Sequence, residues 1–217
     1  MVKSDIFIKA GLITAVLLAL SFVVGSYVEG MAYSKMNNAL LKINEDNEAV
    51  LIMQSYAEEN DTRICDMMKQ HIDAINGEIY ILRDEMEMQK STSVLENYEN
   101  VRRQYFLSNA RLLSFTKQFM KKCGNEETII LFFYTSEKEC PECYAQGRIL
   151  DEVRRRCTNV KVFSFPVDVD MSVIKSFMAY YGVKSSPSIV IDTKGQQDIV
   201  LDKVTGADEI VARSGCK

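Results

Sequence analysis

Cys140 and Cys143, separated by Pro141 and Glu142, are the pair in this chain best spaced for chemistry. They follow the apolar run Ile129-Ile130-Leu131-Phe132-Phe133-Tyr134 and open an amphipathic segment, so the CxxC falls where a buried strand passes into a helix. There Cys140 meets unpaired helix N–H groups and the positive dipole end, which favour thiolate over thiol. Cys143, one turn on, can reach the same sulfur and close a small disulfide ring. Zinc is the competing use of such a pair, but zinc wants four ligands, commonly a second CxxC or a close His pair. His71 is the only histidine, and no other two cysteines share this spacing. Redox use is therefore favoured over metal. No metal and no cofactor is expected, since the cysteines themselves would carry the electrons.

The elements that must position this pair follow from the flanking pattern. Strands are expected at 129–134, 160–165, 188–192 and 197–203, and helices at 141–156, 171–181 and from Ala207 onward. The first strand, helix and second strand form a βαβ unit with parallel strands. Asp192-Thr193-Lys194-Gly195 reads as a turn between antiparallel strands. The expected fold class is α/β, a four-stranded mixed sheet with helices on both faces, starting after Gly124-Asn125-Glu126-Glu127.

Upstream, residues 31–122 contain no proline and a single glycine, Gly77. Apolar residues recur at three and four spacings, through Met68, Ile72, Ile75, Ile79 and Leu82, and again through Val101, Tyr105, Leu112, Phe115 and Phe119. Such stripes pack helices together. Lys90-Ser91-Thr92-Ser93 reads as the turn, with Ser93 and Glu96 as a capping box, so the two helices form an antiparallel hairpin. That arrangement brings Cys65 level with Cys123, and a disulfide between them is expected, with two unpaired cysteines as the alternative. Residues 34–58 read as a stalk helix, with Asn60-Asp61-Thr62 either ending it and capping the next helix or lying within one long bent helix. The helical region suits a spacer, a homodimer surface or a substrate-facing wall. His71 reads as a surface or interhelical polar residue.

Residues 10–28 carry no charge and are long enough to cross a bilayer as a helix. Val28-Glu29-Gly30-Met31-Ala32 is a poor cleavage site, which favours a single-pass anchor over a removable signal peptide. Lys3 and Lys9 precede the span, giving the expectation of a cytoplasmic N-terminus and an extracytoplasmic body. Six cysteines, an even number, suit an oxidising compartment. The net charge of -4 and the lack of a basic cluster argue against nucleic acid as a partner. The expected organisation is a tip and anchor at 1–30, a helical hairpin at 31–124 and an α/β domain at 125–217.

Over residues 127–215 the chain resembles the thioredoxin superfamily. The resemblance is carried by Cys140-Pro141-Glu142-Cys143 after an apolar strand, by Val167-Asp168-Val169-Asp170 after the second strand, and by Tyr181-Gly182-Val183-Lys184-Ser185-Ser186-Pro187-Ser188-Ile189-Val190-Ile191. It implies that Cys140 attacks and Cys143 resolves in thiol–disulfide exchange. It also implies a cis Pro187 facing the disulfide, with Ser186 offering its backbone to an extended substrate beside Pro141 and Glu142. Read from the residues alone, Pro187 also suits a strand-initiating trans proline. The family arrangement sets the helices that end near Cys157 and Cys216 on one sheet face, so a Cys157–Cys216 bridge is expected.

Several residues depart from the family pattern. No tryptophan precedes Cys140; Glu139 stands there. The strand position where thioredoxins bury an acid falls near Phe132. Glu137, Glu139 and Glu142 oppose a thiolate and Lys138 offsets them only in part, so reductase, isomerase or relay use is favoured over dedicated oxidant. The partners expected are protein thiols and disulfides. The alternative to an enzyme is a binding module in which Cys140–Cys143 is a structural bridge and the hairpin is the interaction surface.

Overall fold

β1 (Thr128–Tyr134) is the strand around which the computed structural model is organised. Its first six residues are buried, which matches a continuous apolar run better than an alternating one. Ile129, Leu131 and Phe133 enter one core cluster, Ile130 and Phe132 the other, because successive side chains leave a strand on opposite faces. The structure describes residues 4–56, 63–89, 95–124, 127–136, 139–192 and 197–217.

β1 runs parallel to β2 (Val160–Pro166) and antiparallel to β3 (Ser188–Asp192). β3 pairs antiparallel with β4 (Ile199–Leu201), giving the order β2-β1-β3-β4. With α4 (Pro141–Arg156), α5 (Ser172–Tyr181) and α6 (Ala207–Ser214) this is the four-stranded mixed sheet with helices on both faces expected above. α4 and α6 cover the face of Ile130 and Phe132, and α5 packs on the opposite face. β4 spans three residues instead of the expected 197–203. Just before it, Asp198 sits partly buried near the Asp192 carboxylate, and both effects push its own carboxyl above the usual range. Like charges on neighbouring strands oppose further pairing.

Among the described residues, three helices precede the sheet: α1 (Ser4–Tyr56), α2 (Arg63–Gln89) and α3 (Leu95–Cys123). The expected anchor and stalk are thus halves of one helix of 53 residues. Nothing within it breaks the hydrogen-bond ladder, since proline is absent and each glycine costs only about 1 kcal/mol relative to alanine. Lys9–Tyr27 within α1, 19 residues of mean hydropathy 2.0 with none buried, is long and apolar enough to cross a membrane. The later part of α1 packs on α2, burying Ala39 and Ile43. Lys42 pairs with Glu78 on α2, and Arg111 on α3 donates to Asn44 at 2.6 Å. The turns expected at 60–62, 90–93 and 193–195 lie outside the described residues.

α2 and α3 form the antiparallel hairpin, and α3 is buried on two sides. Its Leu112, Leu113, Phe115 and Phe119 belong to the same cluster as Leu131, Phe133 and Phe165 of the sheet and Ile75 and Leu82 of α2. One core therefore runs across the loop at residue 124. Its buried polar side chains are satisfied locally: Thr116 donates to the Leu112 carbonyl at 2.8 Å and Asn109 to that of Tyr105 at 3.2 Å. At the lower end of the sheet, Lys117 lies 2.5 Å from Asp192 and donates to the Tyr181 hydroxyl at 2.9 Å. Burial works against the Lys117 charge, but these partners outweigh it and hold the ammonium above its ordinary range.

Candidate redox site

The turn after β1 delivers Cys140 to the start of α4. The Ser136 carbonyl accepts N–H bonds from Glu139 at 3.0 Å and Cys140 at 2.9 Å, closing a tight loop before the helix. Cys140 is the N-cap residue, and Pro141 occupies the first turn, where its missing N–H leaves no gap in the helix ladder. The Cys143 N–H donates to Cys140 Sγ at 3.1 Å. Sulfur thus takes the capping role usually held by a side-chain oxygen, and a thiolate there would gain from the dipole of a helix of 16 residues.

Cys140 and Cys143 are joined as a disulfide, with Cα atoms 5.2 Å apart. They are 5% and 3% exposed, so only a thiol held against the site can reach the sulfurs. Pro141, Glu142 and Glu139 are exposed, which leaves these carboxylates to water. Glu137 and Lys138 lie outside the described residues. Among the described residues no three His, Cys, Asp or Glu side chains converge to hold a metal ion.

The second side of the site comes from the loop after α5. Gly182 ends that helix at φ 71°, and the Val183 N–H closes on the Met178 carbonyl at 2.9 Å. This left-handed reversal suits glycine and turns the chain back toward the sheet. The Ser186–Pro187 peptide bond that follows is cis. Ser188, first residue of β3, pairs with Phe133, which sets Pro187 beside the end of β1. The Ser186 and Thr135 hydroxyls are 3.4 Å apart and Ser188 donates to the Ser185 carbonyl at 2.7 Å. Ser186, Pro187, Cys140 and Cys143 therefore gather at one end of the two central strands.

The other four cysteines lie elsewhere. Cys65 and Cys123 are bonded across the open end of the helical hairpin, with Cα atoms 5.7 Å apart. Cys157 and Cys216 are bonded at the opposite end of α4, with Cα atoms 5.2 Å apart. Beside the latter, Asn159 donates to the Gly215 carbonyl at 3.0 Å and accepts from the Lys217 N–H at 2.9 Å.

Three groups support the site, of which Gln146 and Arg102 were not among the residues singled out from the sequence. Gln146, fully buried one turn after Cys143, donates to the Thr205 carbonyl at 3.3 Å and accepts the Thr205 N–H at 2.7 Å. It fixes α4 to the segment before α6. A polar residue on the stripe Cys143, Gln146, Leu150, Val153 was its legible sign. Tyr134 stacks on Phe132 at 5.4 Å, and burial, with Tyr105, Asp168 and Tyr98 nearby, holds its phenol neutral well above the ordinary range. Arg102 of α3 donates to Asp168 at 3.0 Å, joining the hairpin to the loop after β2.

No protein-family model matches the chain. No curated protein matches it. Among solved structures it is similar to chloroplastic thioredoxin z, at 20% identity over 46% of this chain and 86% of that one, TM-score 0.37. It is similar to thioredoxin from Aeropyrum pernix at 19% identity, over 46% and 80%, TM-score 0.34. Oxidised thioredoxin from Plasmodium falciparum matches at 14% identity, over 45% and 89%, TM-score 0.34.

Proposed function

We propose that this chain is a membrane-anchored thiol–disulfide oxidoreductase that acts on protein disulfides through Cys140 and Cys143. The observation that carries the reading is a disulfide seated on a helix N-terminus beside the Ser186–Pro187 loop. In the reducing direction the Cys140 thiolate attacks one sulfur of a client disulfide. A Cys140–client mixed disulfide forms and the first client sulfur leaves as a thiolate that takes up a proton. Cys143, deprotonated, then attacks Cys140 Sγ; the Cys140–Cys143 bond forms and the second client thiolate departs. Two electrons pass from the dithiol to the client, and oxidation of a client dithiol is the reverse.

In this reading Ser186 and Pro187 align the client's extended backbone, while Pro141 and Glu142 line the exposed side. Residues 10–28 hold the protein in the membrane with its N-terminus cytoplasmic and the α/β domain outside. Lys3 and Lys9 ahead of the span support that orientation, as does the pairing of all three cysteine pairs as disulfides. The acidic residues around Cys140 favour reductase, isomerase or relay use over a dedicated oxidant. The test is reduction of insulin disulfides by a small dithiol with the full chain in detergent. Acceleration over the dithiol alone is expected, and its absence overturns the reading.

A further inference from the structure

β2 is one of the two edges of the sheet, with β4 at the other. Its only strand partner is β1, and among the described residues no main-chain bond joins residues 160–164 to the helices alongside. An unpaired edge is a template for another strand unless something covers it. A cleft of about 1010 Å³ lies between the hairpin and this edge, although α2 reaches α4 across it where Arg154 donates to the Tyr80 hydroxyl at 3.1 Å, and α3 touches β2. Residues 160–164 line this cleft in succession, and Lys161, Val162 and Ser164 are partly exposed to it. Because β2 is parallel to β1, its last residues lie at the end of the sheet from which the chain runs to Cys140. The cleft extends to that end, reaching Thr135, Ser136 and Cys143.

Its charge is one-sided. Among the described residues, Arg83, Arg102, Arg148, Arg154 and Lys161 line it against three carboxylates, in a chain whose net charge is -4. Arg83 is committed to Asp84 at 2.9 Å, Arg102 to Asp168 at 3.0 Å and Lys161 to Glu127 at 3.1 Å, while Arg154 donates to the Tyr80 hydroxyl at 3.1 Å and is 3.9 Å from Asp151. Arg148 is exposed on α4 and makes no hydrogen bond or ion pair among the described residues.

We propose that this cleft holds an extended, carboxylate-bearing segment of a client polypeptide, added as a strand to the β2 edge with its acidic side chains toward Arg148. The proposal rests on the exchange reading above and names the client class. Five added residues span about 17 Å, enough to run the length of the edge and leave the client's cysteine beyond it, at the CxxC end of the sheet. Backbone pairing supplies affinity without demanding sequence, and the cations select among clients.

The probe is a fluorescein-labelled extended peptide, rich in valine, threonine and aspartate and free of cysteine, titrated by anisotropy against the full chain in detergent. Binding at low salt is expected, at least about tenfold weaker for the lysine-for-aspartate peptide, for the peptide N-methylated at alternate residues, and for Arg148→Glu. Equal affinity of acidic and basic peptides, or of the N-methylated and parent peptides, overturns the proposal. So does a protein that binds none of them, whether monomeric or paired through its β2 edges into a dimer. Because the probe has no cysteine, binding is read apart from insulin reduction. Turnover without selective binding sinks the docking surface alone, and selective binding without turnover sinks the exchange reading alone.

Discussion

Cys140→Ser is expected to lower insulin reduction to the rate of the small dithiol alone, and Cys143→Ser to accumulate a covalent complex with a client disulfide. The asymmetry follows from position. Cys140 is the N-cap of α4, where its sulfur already accepts an N–H bond and a thiolate would be stabilised by the helix dipole. Cys143 lies within the first turn and is slightly the more covered of the two. Without Cys140 no mixed disulfide can form at the helix N-terminus. Without Cys143 it forms but only an external thiol can resolve it. Non-reducing electrophoresis reads the outcome as a band shifted by the client's mass. Trapping by Cys140→Ser in place of Cys143→Ser would reverse the assigned roles.

The second large effect concerns folding. Replacing Cys157 and Cys216 together by alanine is expected to lower the unfolding free energy by about 4 kcal/mol, the chain-entropy value for a loop of this length. The bridge has a sequence separation of 59, and that loss is a sizeable share of the 5–15 kcal/mol typical of a domain. The Cys65–Cys123 bridge, with a separation of 58, constrains a loop of nearly equal length. Removing it should cost a similar amount on the same model, with the core shared by α2, α3 and the sheet retaining the contacts made by Leu112, Phe115 and Phe119. Urea unfolding of the oxidised variants measures both values. A loss under about 1 kcal/mol for the Cys157/Cys216 pair would mean that the bond scarcely restrains the unfolded chain, and would contradict the chain-entropy account.

The parts of the site that were legible in the sequence are those fixed by local pattern. The apolar run before Cys140 and the amphipathic run after it specify a strand-to-helix junction, and the hairpin register brings Cys65 to Cys123. What escaped depends on pairs distant along the chain. The Gln146–Thr205 clamp spans 59 positions and Arg102–Asp168 spans 66, and neither residue of either pair carries a local sign of its partner. The same holds for α3, whose periodicity announces a helix with a broad apolar face but not that the face divides between α2 and the sheet. The continuity of α1 was missed for a different reason. The composition changes from uncharged to charged near residue 29, and a helix without proline can run through such a change unbroken.

The central claim is that Cys140–Cys143 is a working redox couple and not a third structural bridge. Equilibrating the full chain in glutathione buffers of graded potential, then counting thiols by mass after alkylation, tests it directly. The Cys140–Cys143 pair is expected to titrate between about -270 and -120 mV, the span of dithiol oxidoreductases, while the other two bridges stay oxidised below about -300 mV. A Cys140–Cys143 bond that stays oxidised alongside Cys65–Cys123 and Cys157–Cys216 across the whole range would contradict the account.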